Sequence, residues 1–94
     1  YSPFLAKESQ AGVAGVSRLV SDAKQSGISV IGYNKANLSE GDVIVYGNQD
    51  HVVIYDGKGG YYGNSSSKNK VVHGSDYLSM GGLKPTKIIK TSGG

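Results

Sequence analysis

The apolar positions Val13, Val16, Leu19, Val20 and Ala23 recur at the spacing of a single helix face. They predict an amphipathic helix over 13–26, with Lys24 in its last turn and Gly27 at its C-terminal cap. Before it, residues 1–12 form a polar approach in which Ser2-Pro3 reads as a helix-start signal. After Gly27 the period shortens. Ile28 to Tyr33 alternates weakly and fits a short strand or an extended segment. Val43-Ile44-Val45-Tyr46 is a β-branched run between turn residues, the pattern of a strand buried on both faces. His51 to Tyr55 predicts a second strand, and Asp56-Gly57-Lys58-Gly59-Gly60 accepts the positive φ angles of a hairpin turn. Tyr61-Tyr62 opens a third strand, Val71-Val72-His73 a fourth, and 86–90 a fifth. The expected architecture is α+β: an N-terminal helix packed on a small antiparallel sheet or half-barrel of about five short strands.

Composition narrows this further. A chain of 94 residues has room for one core, so 1–94 reads as a single domain. Fifteen glycines, about twice ordinary usage, fit short strands joined by tight turns. The absence of cysteine excludes a disulfide framework, a thiolate metal site and a cysteine nucleophile within these residues. No apolar run approaches the roughly 18 residues of a membrane span, and no signal-peptide pattern opens the chain. The start at Tyr1, not Met, suggests a processed product or a piece of something longer.

The net charge is +3, and five of the ten basic residues (Lys68, Lys70, Lys84, Lys87, Lys90) follow residue 67, opposed there by Asp76. That edge suits an anionic polymer, or is simply a solvated lysine-rich surface. No arginine cluster or basic helix stripe points to base readout, so neither nucleic acid nor a membrane is an expected partner.

Two histidines exist. His51 opens a strand directly after the polar loop Gly47-Asn48-Gln49-Asp50. Its ring is expected at the rim of a core, where a titratable imidazole serves as a base, although a surface histidine ending a strand fits the same pattern. Asn64 lies thirteen residues on, across the Asp-Gly turn. Adjacent strands bring such positions side by side, so its amide oxygen is expected to accept the imidazole N–H on the same sheet face; a plain turn residue is the alternative. His73 has no polar partner at a persuasive spacing. The histidines and scattered aspartates lack metal-ligand spacing, so neither a metal nor a cofactor is expected. Gly57-Lys58-Gly59-Gly60 joins two strands and is not a phosphate loop. Tyr46 and Tyr55 read as packing residues. Tyr61 and Tyr62, with Asp50, are candidates to line a groove for a peptide or sugar.

Leu38-Ser39-Glu40-Gly41-Asp42-Val43-Ile44-Val45-Tyr46, followed by Asp50-His51-Val52-Val53-Ile54-Tyr55-Asp56-Gly57, resembles the second half of an NlpC/P60 cysteine peptidase domain. That family carries a Leu-x-x-Gly-Asp strand, a short loop, and a strand opening on His-Val and closing on Ile-Tyr-x-Gly. Gly60-Tyr61-Tyr62-Gly63-Asn64-Ser65-Ser66 is similar to the strand bearing its third catalytic residue. The resemblance covers residues 38–66. It implies a papain-like fold and hydrolysis of peptidoglycan stem peptides by a cysteine at the start of an earlier helix. His51 would be the base and Asn64 the residue orienting the imidazole. The Gly-Asn-Ser-Ser run looks most like wall-degrading domains of phage tail or lysin proteins, implying an extracellular, cell-wall or virion location.

The chain departs from the family at the nucleophile. Three explanations are open: a cysteine upstream or on another chain, a substitution near Ala14, or a domain that binds without cutting. Ser9 and Ser17 are poor substitutes, since nothing in the sequence sets either beside His51. If a helix were absent, the sheet would carry an apolar strip. A Cys-bearing chain, a self-dimer or the Tyr1–Gly12 segment, anchored by Tyr1, Phe4 and Leu5, is expected to cover it. The leading function is therefore the His/Asn half of a cell-wall peptidase. A non-catalytic wall-peptide module and a basic domain for an anionic polymer are the alternatives.

Overall fold

The computed structural model describes residues 16–65 and 70–93. The sequence expectations at Ser2-Pro3, over 1–12 and at Ala14 lie outside these residues. Helix α1 spans Val16–Gln25, and six strands follow: β1 Val30–Gly32, β2 Val43–Tyr46, β3 His51–Tyr55, β4 Tyr61–Ser65, β5 Lys70–Gly74 and β6 Pro85–Ile89. Short 3₁₀ turns occupy Lys35–Asn37 and Thr91–Gly93. The architecture is α+β, with one six-stranded antiparallel sheet in the order β1-β6-β2-β3-β4-β5. The sequence reading counted about five strands. The sixth is β1, only three residues long, which pairs Val30 with Ile89 at the sheet edge.

Strand β2 is central and wholly buried because each of its faces is covered by the chain itself. On one face Val43, Val45 and Ile89 pack with Val20 and Ala23 of α1, flanked by Val52 and Ile54. On the other, Ile44, Tyr46 and Val53 pack with Tyr77, flanked by Tyr33, Tyr55, Tyr61, Met80 and Leu83. The segment after β5 thus does for the second face what α1 does for the first. Leu78 is the exposed large hydrophobic side chain among the described residues. Among the described residues, α1 covers one face of β2 and residues 77–83 the other.

Tyr77 is the keystone of the second face. The Tyr46 hydroxyl donates to the Tyr77 carbonyl at 2.6 Å, and the Tyr33 and Tyr77 hydroxyls share a hydrogen bond of 2.6 Å. The Tyr55 and Tyr77 rings meet edge-on at 5.3 Å, a favoured aromatic geometry. Burial pushes the Tyr46 hydroxyl well above the usual phenol range, so it remains a donor at any physiological pH. Tyr46→Phe would leave the Tyr77 carbonyl without its donor, a loss of about 1–3 kcal/mol, measurable by denaturant unfolding.

The β3–β4 turn forms where the Asp-Gly run predicts it, with Gly57 and Gly59 at φ 83° and 88°. The backbone approaches closely at Gly60, where an added Cβ would lie 2.4 Å from the Gly74 carbonyl oxygen and from Asp56 Oδ2. Gly60→Ala therefore forces β4 and β5 apart, and a destabilisation of about 1–3 kcal/mol is expected on thermal unfolding.

Candidate functional site

His51 is the first residue of β3 and pairs with Tyr46 across the β2–β3 ladder. Its half-buried ring lies 6.2 Å from that of Tyr46. Alternation along β3 places it on the Tyr77 face, opposite α1, since Val52 and Ile54 take the helix side. The loop before it is tightly built. Asp50 N–H donates to the Tyr46 carbonyl at 2.9 Å, and Asp50 Oδ2 accepts from Asn48 N–H at 3.1 Å. Asp50, a candidate for substrate contact, thus also caps its own turn. Gln49 holds φ at 59°, a conformation uncommon outside glycine and worth about 1–2 kcal/mol of strain. Its side chain accepts a 2.5 Å hydrogen bond from Ser17 Oγ in the first turn of α1. The start of α1 and the start of β3 are thereby fastened to one end of the sheet. Nothing in the sequence signalled Ser17, because its partner is a loop residue 32 positions away.

The third expected member stands differently. Strand β4 pairs Tyr61 with Tyr55 and Tyr62 with Ile54, while Asn64 pairs with Val71 on the other side. Counting back along the β3–β4 register sets Gly63 level with Val53, Asn64 with Val52 and Ser65 with His51. An added Cβ on Gly63 would meet Val53 Cγ1 at 3.3 Å, in keeping with that count. Asn64 therefore lies on the strand adjacent to His51 but one step out of phase with it. The Asn64 side chain is outside the described residues. Tyr61 and Tyr62 also part company: Tyr61 packs on the Tyr77 face, whereas Tyr62 pairs with His73 on the other.

His73, which the sequence left without a partner, has one. Its Nε2–H donates to Asp56 Oδ2 at 2.7 Å, and its ring stacks on Tyr62 at 4.7 Å. Asp56 Oδ1 accepts from the Lys58 and Gly60 N–H groups at 2.7 and 2.8 Å. The His73 hydrogen bond holds the Asp56 carboxyl below its usual range; desolvation opposes this, and the two turn amides reinforce it. The pair ties edge strand β5 to the β3–β4 turn. Asp56 was legible as a turn residue, but its meeting with His73 depends on the β4–β5 register, which no local pattern gives.

The family-like Gly41-Asp42 pair is structural. Asp42 is fully buried, and its carboxylate accepts from Ser39 N–H at 2.9 Å, Ser92 N–H at 3.0 Å and Lys90 Nζ at 2.5 Å. Lys90 is consequently engaged by Asp42 and by the Asn37 carbonyl, which takes its ammonium out of a lysine edge for an anionic polymer. Among the described residues no group of three or more His, Asp or Glu side chains could hold a metal ion, and no helix is long and apolar enough to cross a membrane.

No family model, curated protein or solved structure matches the chain. The functional reading rests on the residues themselves.

Proposed function

We propose that this chain is the histidine-bearing part of an NlpC/P60-type, papain-like cell-wall peptidase, and that it holds a peptidoglycan stem peptide where α1 and β3 begin. The observation that carries this reading is the Ser17–Gln49 hydrogen bond, which joins the helix start to the loop immediately before His51. Papain-like chemistry needs a thiolate at a helix start and an imidazole within reach of it. The hydrogen bond sets the first described turn of α1 beside the loop that leads into His51, whose ring lies on the opposite face of the sheet. His51 would act as the base and Asp50 would contact the substrate; Tyr61, level with Tyr55 at the far end of β3, lies away from this site. The thiol would have to come from another segment or chain, because these 94 residues contain none. The location follows the substrate: outside the cell, at the wall or on a phage virion.

A second reading, binding without cleavage, draws on two specific observations: the lack of cysteine and the register that sets Asn64 level with Val52, one step out of phase with His51. Both readings share the stem-peptide site. Titrating the labelled chain with a stem tetrapeptide should move the amide resonances of residues 16–18 and 46–52. Shifts confined to other parts of the sheet, or none at millimolar peptide, would overturn the proposed site.

A further inference from the structure

The sheet ends on two unlike edges. Strand β1 has three residues, and just past it Tyr33 N–H already donates to the Thr86 carbonyl at 3.0 Å. Strand β5 has five, pairs with β4 without a break in register, and among the described residues has no strand on its far side. It carries neither a proline nor a bulge, two of the devices that protect an exposed edge. Its unpaired backbone groups can be assigned. An added Cβ on Gly60 would collide with the Gly74 carbonyl, so that carbonyl points toward β4. Alternation turns Val72 the same way and leaves the N–H and C=O of Val71 and His73 aimed outward. Val72, half-buried, stands opposite Gly63, which has no side chain to cover it. Just past the strand, Asp76 accepts from Leu78 N–H at 2.9 Å, and among the described residues no cation pairs with it.

We infer that β5 is a dimerisation edge whose partner is the β5 of a second copy of this chain, running antiparallel. The strand is self-complementary. Centred on Val72, one register uses all five residues: Val72 faces Val72 of the second copy, Val71 faces His73 and Lys70 faces Gly74. The outward groups of Val71 and His73 then exchange hydrogen bonds across the two-fold axis. Like charges do not meet, and Lys70 comes to the end of the strand that Asp76 follows, which is the favourable sign of pairing. A slip of one residue would set outward residues against inward ones and break the ladder. A slip of two would leave three pairs in place of five. Because the contact is isologous and β1 is too short to repeat it, the assembly closes at two copies. A five-residue edge buries less than the roughly 1,200 Å² of a standard interface, so the dimer is weak, with a Kd on the order of 0.1–1 mM. Dimerisation at this edge is independent of the cell-wall reading.

The experiment is a dilution series of the chain, from about 2 mM to about 20 µM so as to bracket that constant, followed by amide nuclear magnetic resonance and translational diffusion. Raising the concentration should move the amides of residues 70–76 and slow diffusion toward that of a dimer. Val72→Lys, which sets like charges face to face, should abolish both effects. Asp76→Asn keeps the acceptor for Leu78 N–H and should weaken association several-fold, as should added salt. The chain has no cysteine, so Val72→Cys introduces a single thiol. In the proposed register two such residues form a non-hydrogen-bonded pair with Cα atoms about 4.5 Å apart, within disulfide reach. Under mild oxidation Val72→Cys should cross-link at least about tenfold faster than Lys58→Cys, an exposed site in the β3–β4 turn. Amide spectra of each variant at the lowest concentration report whether it remains folded. Monomeric diffusion at the highest concentration, the result expected if other residues of the chain already pair with this edge, would overturn the inference. So would concentration shifts confined to another surface, or equal cross-linking of the two cysteine variants.

Discussion

Replacing Asp42 with alanine should cost about 3 kcal/mol of stability or more, the range found when one partner of a buried ion pair is removed. The substitution strips a fully buried carboxylate from two backbone N–H groups and from the Lys90 ammonium, whose side chain is only 27% exposed. Each of the three donors then loses its acceptor at the site where the carboxylate was buried. Against a total of about 5–15 kcal/mol for a domain of ordinary stability, that loss is large. Asp42→Asn keeps the shape and one acceptor but loses the charge, so it should fall between the two. The same network sets the response to acid. Burial raises the Asp42 carboxyl, but the hydrogen bonds from Lys90, Ser92 and Ser39 together outweigh it and hold the carboxyl below its ordinary value. A folded-state value below the unfolded one contributes stability that is complete above about pH 4 and fades as pH falls further. Denaturant midpoints measured from pH 7 to pH 2 should therefore decline on the acid side, and Asp42→Asn should flatten that decline. An Asp42→Ala chain as stable as the parent would remove this network from the account.

The second large effect concerns catalysis. Supplying a Cys-bearing N-terminal segment to the chain should release new amino groups from muropeptides, which the chain by itself does not do for want of a thiol. His51→Ala in that background should lower the rate by about 10²–10⁴-fold, the usual worth of a positioned general base. His73→Ala should leave the rate within a few-fold, because His73 lies across the sheet and is bound to Asp56. Equal losses from the two histidine substitutions would show that His51 has no special role.

How much of this was visible in the sequence depends on the range of the signal. Strands β2 and β3 and the Asp56–Gly60 turn were legible, because β-branched runs and positive-φ residues act locally. Strand β1 was ambiguous, since three residues at an edge barely establish a period. The cover of the second face was not legible. Tyr77, Met80 and Leu83 follow neither helical nor strand spacing and bury themselves only because the chain wraps back over Tyr46 and Ile44. The candidate site divides the same way. His51 declared itself through its own strand, whereas Ser17–Gln49 and His73–Asp56 are long-range meetings fixed by register and packing. Asn64 illustrates the limit: its thirteen-residue separation identified the right neighbouring strand, but strand parity depends on one residue more or less in the turn.

The most direct test of the central claim is an assay of the unmodified 94-residue chain on purified peptidoglycan sacculi, scoring sedimentation with the walls, turbidity and newly exposed amino groups together. The account predicts that the chain sediments with the sacculi, that soluble stem peptide displaces it, and that turbidity and amino groups stay constant for want of a thiol. A chain that remains in the supernatant would contradict the cell-wall reading, and a fall in turbidity with release of amino groups would contradict the assignment of His51 as base to an external cysteine.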